Sequence, residues 1–259
     1  MGNFFYTRIR PGFKRAARAL GMKDKRSRVQ RSIPPDFDVL TKEILGAVGE
    51  YTMTSPERVH QLVSAVRYVA ARGIEGAFVE CGVWRGGSSM AMALALSDLG
   101  QKDRNLYLYD TFEGMSAPTD DDVAYDGKPA ETTFRDRQLS NDSSDWCRSP
   151  LDEVEANLAT TGYPASRIHF IKGKVEDTIP NEMPAGPIAI LRLDTDWYES
   201  TRHELQHLYP RLARGGVLII DDYGHWAGAK KAVDEYFEEQ GLNLFLGRID
   251  DTARIAIKQ

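Results

Sequence analysis

The chain has 259 residues, 42% hydrophobic and 27% charged, with a formal net charge of −5. This composition lies in the ordinary range of globular proteins and excludes collagen-like, coiled-coil and wholly disordered chains. No run approaches the roughly 18 uninterrupted apolar residues that a membrane-spanning helix needs. Two cysteines, Cys81 and Cys147, are too few for a disulfide framework.

The charge is unevenly spread. Met1–Arg31 holds ten Lys/Arg against one acid, Asp24, which leaves −14 on residues 32–259. Such an arm either touches an anionic surface or is a solvated leader, and without an aromatic-rich groove beside it the second reading is preferred. The acidic body argues against nucleic acid as the main ligand. Residues 1–35 therefore read as a basic, flexible leader with no signal-peptide pattern, ending at Ser32-Ile33-Pro34-Pro35. Residues 36–259 read as one domain of a cytoplasmic protein.

In chain order, Ser55-Pro56-Glu57 opens a helix with an apolar stripe at Val59, Leu62, Val63, Val66 and Val69. Ala77–Glu80 is a short buried strand, followed by a helix near 87–99 and the strand Leu106–Asp110. The long polar stretch Thr111–Pro150 has the character of a substrate lid or loop. Beyond it come a helix near 151–160 and strands at Ile168–Ile171 and Ile188–Asp194. A helix around 198–213, the strand Val217–Asp221, a helix near 227–239 and strands at 243–248 and 253–257 complete the chain. Short apolar strands alternating with helices predict an α/β fold, a doubly wound, mostly parallel seven-stranded sheet covered on both faces.

In such sheets ligands bind beyond the carboxyl ends of the strands, and here Glu80, Asp110, Asp194 and Asp221-Asp222 all terminate apolar strands. Glu80 runs into a glycine-rich turn, Gly82-Val83-Trp84-Arg85-Gly86-Gly87-Ser88, that fits neither the dinucleotide fingerprint nor a phosphate loop. A carboxylate there suits a cationic ligand, such as the ammonium and sulfonium of S-adenosylmethionine; the alternative is a plain strand-to-helix turn. Asp110 is placed to accept from ribose hydroxyls or to cap a turn. Lys172–Thr178 is a polar turn that either reads an adenine or caps a short helix. Asp194, Asp221 and Asp222 end two neighbouring strands. Converging carboxylates repel, and a hard divalent cation such as Mg²⁺ resolves the conflict; separate helix caps are the alternative. His225 is either a base or a residue that orients substrate, while His60, His169, His203 and His207 read as structural. Trp84, Trp197, Trp226 and Tyr223 line an acceptor pocket or belong to the core.

Four segments, Val79–Gly87, Tyr109–Met115, Leu193–Thr201 and Ile220–Gly224, closely resemble the macrocin O-methyltransferase family (TylF/MycF type). The resemblance covers roughly residues 50–240. It implies a class I methyltransferase (Rossmann-like) sheet that moves methyl groups from S-adenosylmethionine to sugar hydroxyls of natural products with Mg²⁺, as a homo-oligomer. By this resemblance Glu80 and the loop holding Gly82, Gly86, Gly87 and Ser88 bind the methionine part, Asp110 with Thr111 the ribose, and Glu176-Asp177 lie near the adenine. Tyr51-Thr52-Met53-Thr54 closes over the cofactor. Asp194, Asp221 and Asp222 match metal ligands, Asp194 is a candidate base beside His225, and Asp196 competes with Asp194 or reaches the cofactor. Two other readings are compatible with the sequence: a nicotinamide-dependent oxidoreductase, disfavoured by the missing fingerprint, and a non-catalytic S-adenosylmethionine-binding scaffold.

Overall fold

The computed structural model describes residues 33–259, so nearly all of the basic leader lies outside the described residues. Seven strands form one sheet: β1 (Ala77–Cys81), β2 (Leu106–Asp110), β5 (Ile168–Lys172), β6 (Ile188–Leu193), β7 (Leu212–Ile220), β8 (Gly247–Arg248) and β9 (Arg254–Ile257). Their order is β5-β2-β1-β6-β7-β9-β8. The first five run parallel, and β9 lies antiparallel against β7 and β8. From β1 the chain winds outward through β2 and β5, then crosses back to β6 and β7. Strand order therefore reverses between β1 and β6, and the crevice at that switch point lies at their carboxyl ends.

Period-two alternation sorts each strand between two apolar layers. Phe78, Leu108, Ile190 and Ile219 pack with the helices Val39–Val48, Pro56–Ala71 and Gly87–Asp98, whereas Val79, Cys81, Leu191 and Ile220 pack with Tyr198–Leu208 and Ala227–Glu239. Ser55 caps the Pro56–Ala71 helix as its sequence predicts, its hydroxyl accepting from Arg58 N at 3.2 Å. The helix Val39–Val48 was not anticipated; Asp38 caps it and also pairs with Arg67. The predicted helix around 198–213 ends at Leu208, because Pro210 converts the chain to a single 3₁₀ turn before β7.

The Thr111–Pro150 stretch is not a structureless loop. It carries a short helix, Ala130–Asp136, and a hairpin of β3 (Gln138–Ser140) and β4 (Ser143–Ser144). Buried Asp122 accepts from Thr119 N at 2.7 Å and from Tyr198 N at 2.8 Å, so it caps the helix after β6 from a distant part of the sequence. Ala124 bridges Trp226, and Tyr125 N donates to His225 O at 2.8 Å. The segment is thereby pinned across the strand tips.

Gly82 shows how tightly those tips are joined. Its φ is +82°, and a Cβ there would lie 2.0 Å from the carbonyl oxygen of Asp194. Gly82→Ala is expected to push β1 and β6 apart at the switch point and to lower stability by about 2–3 kcal/mol in urea unfolding.

Candidate active site

The tips of β1, β6 and β7 are zipped by backbone bonds, Asp194 N to Cys81 O and Asp221 N to Leu193 O, each 2.9 Å. Register then decides which side chains meet. Glu80 stands opposite Arg192 across the β1–β6 pair, and Asp194 lies two residues beyond Arg192, on the same face. Arg192 Nη1 donates to Glu80 Oε1 and to Asp194 Oδ2, both at 2.7 Å, and its Nη2 donates to Asp221 Oδ1 at 2.8 Å. Burial opposes a charge on Arg192, but Asp194, Asp221 and Glu80 outweigh it and hold the guanidinium pKa well above its usual value.

A second guanidinium enters from the helix Pro56–Ala71. Arg58 Nη1 bonds Asp221 Oδ2, its Nε donates to Asp250 Oδ2 at 2.7 Å, and its Nη2 bonds Thr252 Oγ1. Ser55 Oγ also donates to Asp250 Oδ2, at 2.6 Å. Neither arginine was anticipated as a site residue. A signal for Arg192 was nonetheless present, since a charge within Ile188–Leu193, a strand otherwise wholly apolar, demands buried carboxylate partners. Arg58 carried no comparable mark, because it sits on an ordinary amphipathic helix and Asp250 is remote in sequence.

The predicted trio is assembled. One oxygen each from Asp194, Asp221 and Asp222 lie within 4.8 Å of one another. The arginines do not exhaust the negative charge. Asp222 Oδ2 is buried without a hydrogen-bond partner, and Asp196 makes no ion pair among the described residues. Burial pushes the Asp194 and Asp222 carboxyls well above the usual carboxylate range, with the neighbouring carboxylates adding to it. The same burial pushes Asp196 up to about 7. Oxygen-only donors, carboxyls that no arginine matches among the described residues and an orphaned buried carboxylate oxygen together fit a hard divalent cation.

Two clefts meet at this cluster. The smaller is lined by Gly82, Asp110, Thr111 and Glu176, and the larger, of about 1030 Å³, by Tyr51, Thr54, Glu80, Gly87, Ser88, Asp221, Asp222 and His225. Met53, Trp84, Asp194 and Asp196 belong to the walls of both. The candidate cofactor residues are therefore divided. Gly82, the ribose candidates and Glu176 face the smaller cleft, while Tyr51, Thr54, Glu80, Gly87 and Ser88 face the junction from the larger one.

Individual placements refine the expectations. Asp110 is occupied structurally: Oδ2 accepts from Val83 N (2.7 Å) and Trp84 N (3.0 Å), and Oδ1 from Phe112 N (2.7 Å). It fastens the glycine-rich turn to the end of β2, and burial still raises its pKa despite those bonds. Glu80 is spent on Arg192 and Ser89 Oγ, and Thr111 Oγ1 donates to Gly114 O at 2.7 Å. Gly86 caps the helix Gly87–Asp98 in a left-handed conformation and lies outside both clefts. Tyr51 O accepts from Gly87 N at 2.9 Å, which seats the Tyr51–Thr54 segment on that helix start. Asp177 is exposed and lines neither cleft, since only the Glu176 side of that turn faces inward.

His225 lines the larger cleft 5.4 Å from the Tyr125 ring, and burial together with Arg58 lowers its pKa. Trp197, Trp226 and Trp146 stack edge-to-face with centroids 5.0–6.0 Å apart, so Trp197 is chiefly core, while Trp226 and Trp146 also present surface to the cleft. Tyr223 lines neither cleft and bonds Asp234 at 2.7 Å. His169 and His203 bond Asn105 and Ile179 O respectively, and His60 stacks on Phe37, all structural as expected.

The fold and these motifs match known proteins. The chain is 37% identical over 202 residues (78% of this chain, 73% of the relative) to an 8-demethyl-8-(2,3-dimethoxy-alpha-L-rhamnosyl)-tetracenomycin-C 4'-O-methyltransferase of Streptomyces olivaceus. It is 34% identical over 200 residues (77% and 75%) to mycinamicin III 3''-O-methyltransferase of Micromonospora griseorubida. The structure superposes on the O-methyltransferase NovP with a TM-score of 0.71 at 29% identity, covering 81% of this chain and 82% of that one. The calicheamicin methyltransferase CalS11, at 18% identity and TM-score 0.62 over 99% and 98% of the two chains, shares the fold. Among the described residues no helix is long and apolar enough to cross a membrane. With residues 38–257 matching the family model for macrocin O-methyltransferase (TylF), the chain belongs to that family and is an S-adenosylmethionine-dependent O-methyltransferase.

Proposed function

We propose that this enzyme methylates a hydroxyl on the sugar of a glycosylated natural product and does so with a divalent cation, Mg²⁺, held by Asp194, Asp221 and Asp222. The observation that carries the reading is the common wall of the two clefts. Asp194 and Asp196 face both the cleft with the ribose and adenine candidates and the cleft with the carboxylate trio and His225. A methyl donor on one side and an acceptor on the other would meet there. The named relatives act on a tetracenomycin rhamnoside and on mycinamicin III, which supports a glycoside acceptor. The larger cleft, about 1030 Å³ and edged by Trp146, Trp226 and exposed Tyr125, offers the apolar faces that a sugar and its aglycone need.

In this reading S-adenosylmethionine supplies an electrophilic methyl group, and a divalent cation at the trio would acidify the acceptor hydroxyl and balance its developing charge. The chain provides positioning, worth about 7–11 kcal/mol when reacting groups are held in line. Tyr51, Thr54, Ser88, Asp110, Thr111 and Glu176 are proposed to hold the donor. The proton of the acceptor hydroxyl goes to the Nε2 or Nδ1 of His225, which its lowered pKa keeps neutral near pH 7. Asp194, bonded to Arg192 and shared with the cation, orients the hydroxyl rather than competing for its proton.

Asp222 gives a clean test, because its free oxygen leaves no arginine stranded when removed. Asp222→Asn is expected to fold, to bind S-adenosylmethionine in calorimetry near wild-type affinity, and to lose at least about a hundredfold in methyl transfer to glycoside acceptors. Unchanged turnover of that variant, or of the wild type in EDTA, would refute the cation. With His225 as base, kcat/KM falls as pH drops through its lowered pKa, below the ordinary value near 6.5. His225→Ala should lose about 10²–10⁴-fold in rate and abolish that acidic limb, and an unaltered pH profile would return the proton to Asp194.

A further inference from the structure

Asp221 has no oxygen without a cation already on it: Arg192 occupies Oδ1 and Arg58 occupies Oδ2. The two arginines are not equally fixed. Arg192 is 3% exposed, lies within β6, and is held by three carboxylates on neighbouring strand tips. Moving it would strand Glu80 in the interior, where an unpaired charge is strongly disfavoured. Arg58 is 17% exposed, rides on a flexible stem, and already has a second carboxylate and a hydroxyl within reach at Asp250 and Thr252. A cation coordinated by Asp221 therefore has one arginine that it can displace and one that it cannot.

We infer that Arg58 is an internal counter-cation for the proposed metal centre: it neutralises Asp221 in the free enzyme and yields Oδ2 to the divalent ion, withdrawing onto Asp250. This rests on the cation reading above. Asp250 is built as the receiving end. Its Oδ1 accepts from Thr252 N (3.0 Å) and Ala253 N (2.9 Å), and its Oδ2 accepts from Ser55 as well as Arg58. These bonds hold its carboxyl well below the usual carboxylate range against the effect of burial, so it remains an anion. Thr252 Oγ1 also donates to Asp221 O at 3.2 Å, so the turn between β8 and β9 touches the β7 tip. Ion binding is in this way linked to the turn that forms one wall of the larger cleft, and Arg58 sets the ion's affinity without being a ligand.

Calorimetric titration of the full chain with Mn²⁺ and with Mg²⁺, without methyl donor or acceptor, tests this independently of turnover. Arg58→Gln is expected to bind either ion about tenfold more tightly, as removal of an adjacent unit positive charge requires. Asp250→Asn keeps the Oδ1 acceptor but deprives Arg58 of its retreat, and should bind about tenfold more weakly. Asp251→Asn removes a charge from the same turn without touching Arg58, and should change affinity by less than about threefold. Equal or weaker ion binding by folded Arg58→Gln overturns the inference, as do matching losses in Asp250→Asn and Asp251→Asn. If Arg58→Gln does not fold by circular dichroism, the Asp250/Asp251 pair decides. No ion heat in the wild type or in any variant removes the cation reading itself, and the role of Arg58 with it.

Discussion

The structure depends on one buried charge. Arg192 sits buried in the middle of the sheet, at a strand position where an apolar residue would pack without cost. Burying a guanidinium is unfavourable unless every donor is matched, and removing one partner of such a network typically costs about 3–5 kcal/mol. Here the partners come from three strands, Glu80 on β1, Asp194 at the tip of β6 and Asp221 at the tip of β7. The arrangement brings no obvious gain in stability over an apolar core. What it does achieve is geometric: three carboxylates that would otherwise repel are drawn to one side of the switch point and held at fixed spacing. The carboxyls left without an arginine, Asp222 and Asp196, are what make the place suited to a further cation.

Backbone strain is concentrated at the same spot. Trp84 (φ 47°) and Asp196 (φ 71°) both occupy the left-handed region that non-glycine residues avoid, and both stand on the wall between the two clefts. Such conformations cost of order 1–3 kcal/mol each and persist only when surroundings over-determine them. For Trp84 the restraint is visible: Asp110 accepts from its backbone N–H and from that of Val83. A carboxylate that reads as a ribose acceptor thus also holds the turn above β1 in shape.

Over the strand tips lies the Thr111–Pro150 segment, anchored beside the floor of the site. It is attached through Asp122 to the helix after β6 and through Ala124 and Tyr125 to the residues after β7. Those attachment points adjoin the carboxylate cluster, whereas the hairpin that follows exposes Leu139 and is fastened by Ser144 Oγ donating to Met115 O at 3.0 Å. The part of the segment that faces the larger cleft is Tyr125 and Trp146, and the hairpin lines neither cleft.

The alternation of apolar strands and amphipathic helices was enough to specify a doubly wound sheet, because parallel strands buried on both faces leave runs such as Ile188–Leu193 that no surface strand could carry. Strand-end acids marked Glu80, Asp110, Asp194, Asp221 and Asp222 for the same reason: a carboxylate at the end of an apolar run must have a partner. Which partner it takes was not written there. That Glu80 turns to Arg192, that Asp110 serves the backbone, and that Asp177 faces solvent while Glu176 faces the cleft are outcomes of register and turn geometry. The Asp122 cap and the Arg58–Asp221–Asp250 bridge join residues up to 192 positions apart. Local pattern determines what each segment can form; long-range packing alone determines which charges it brings face to face.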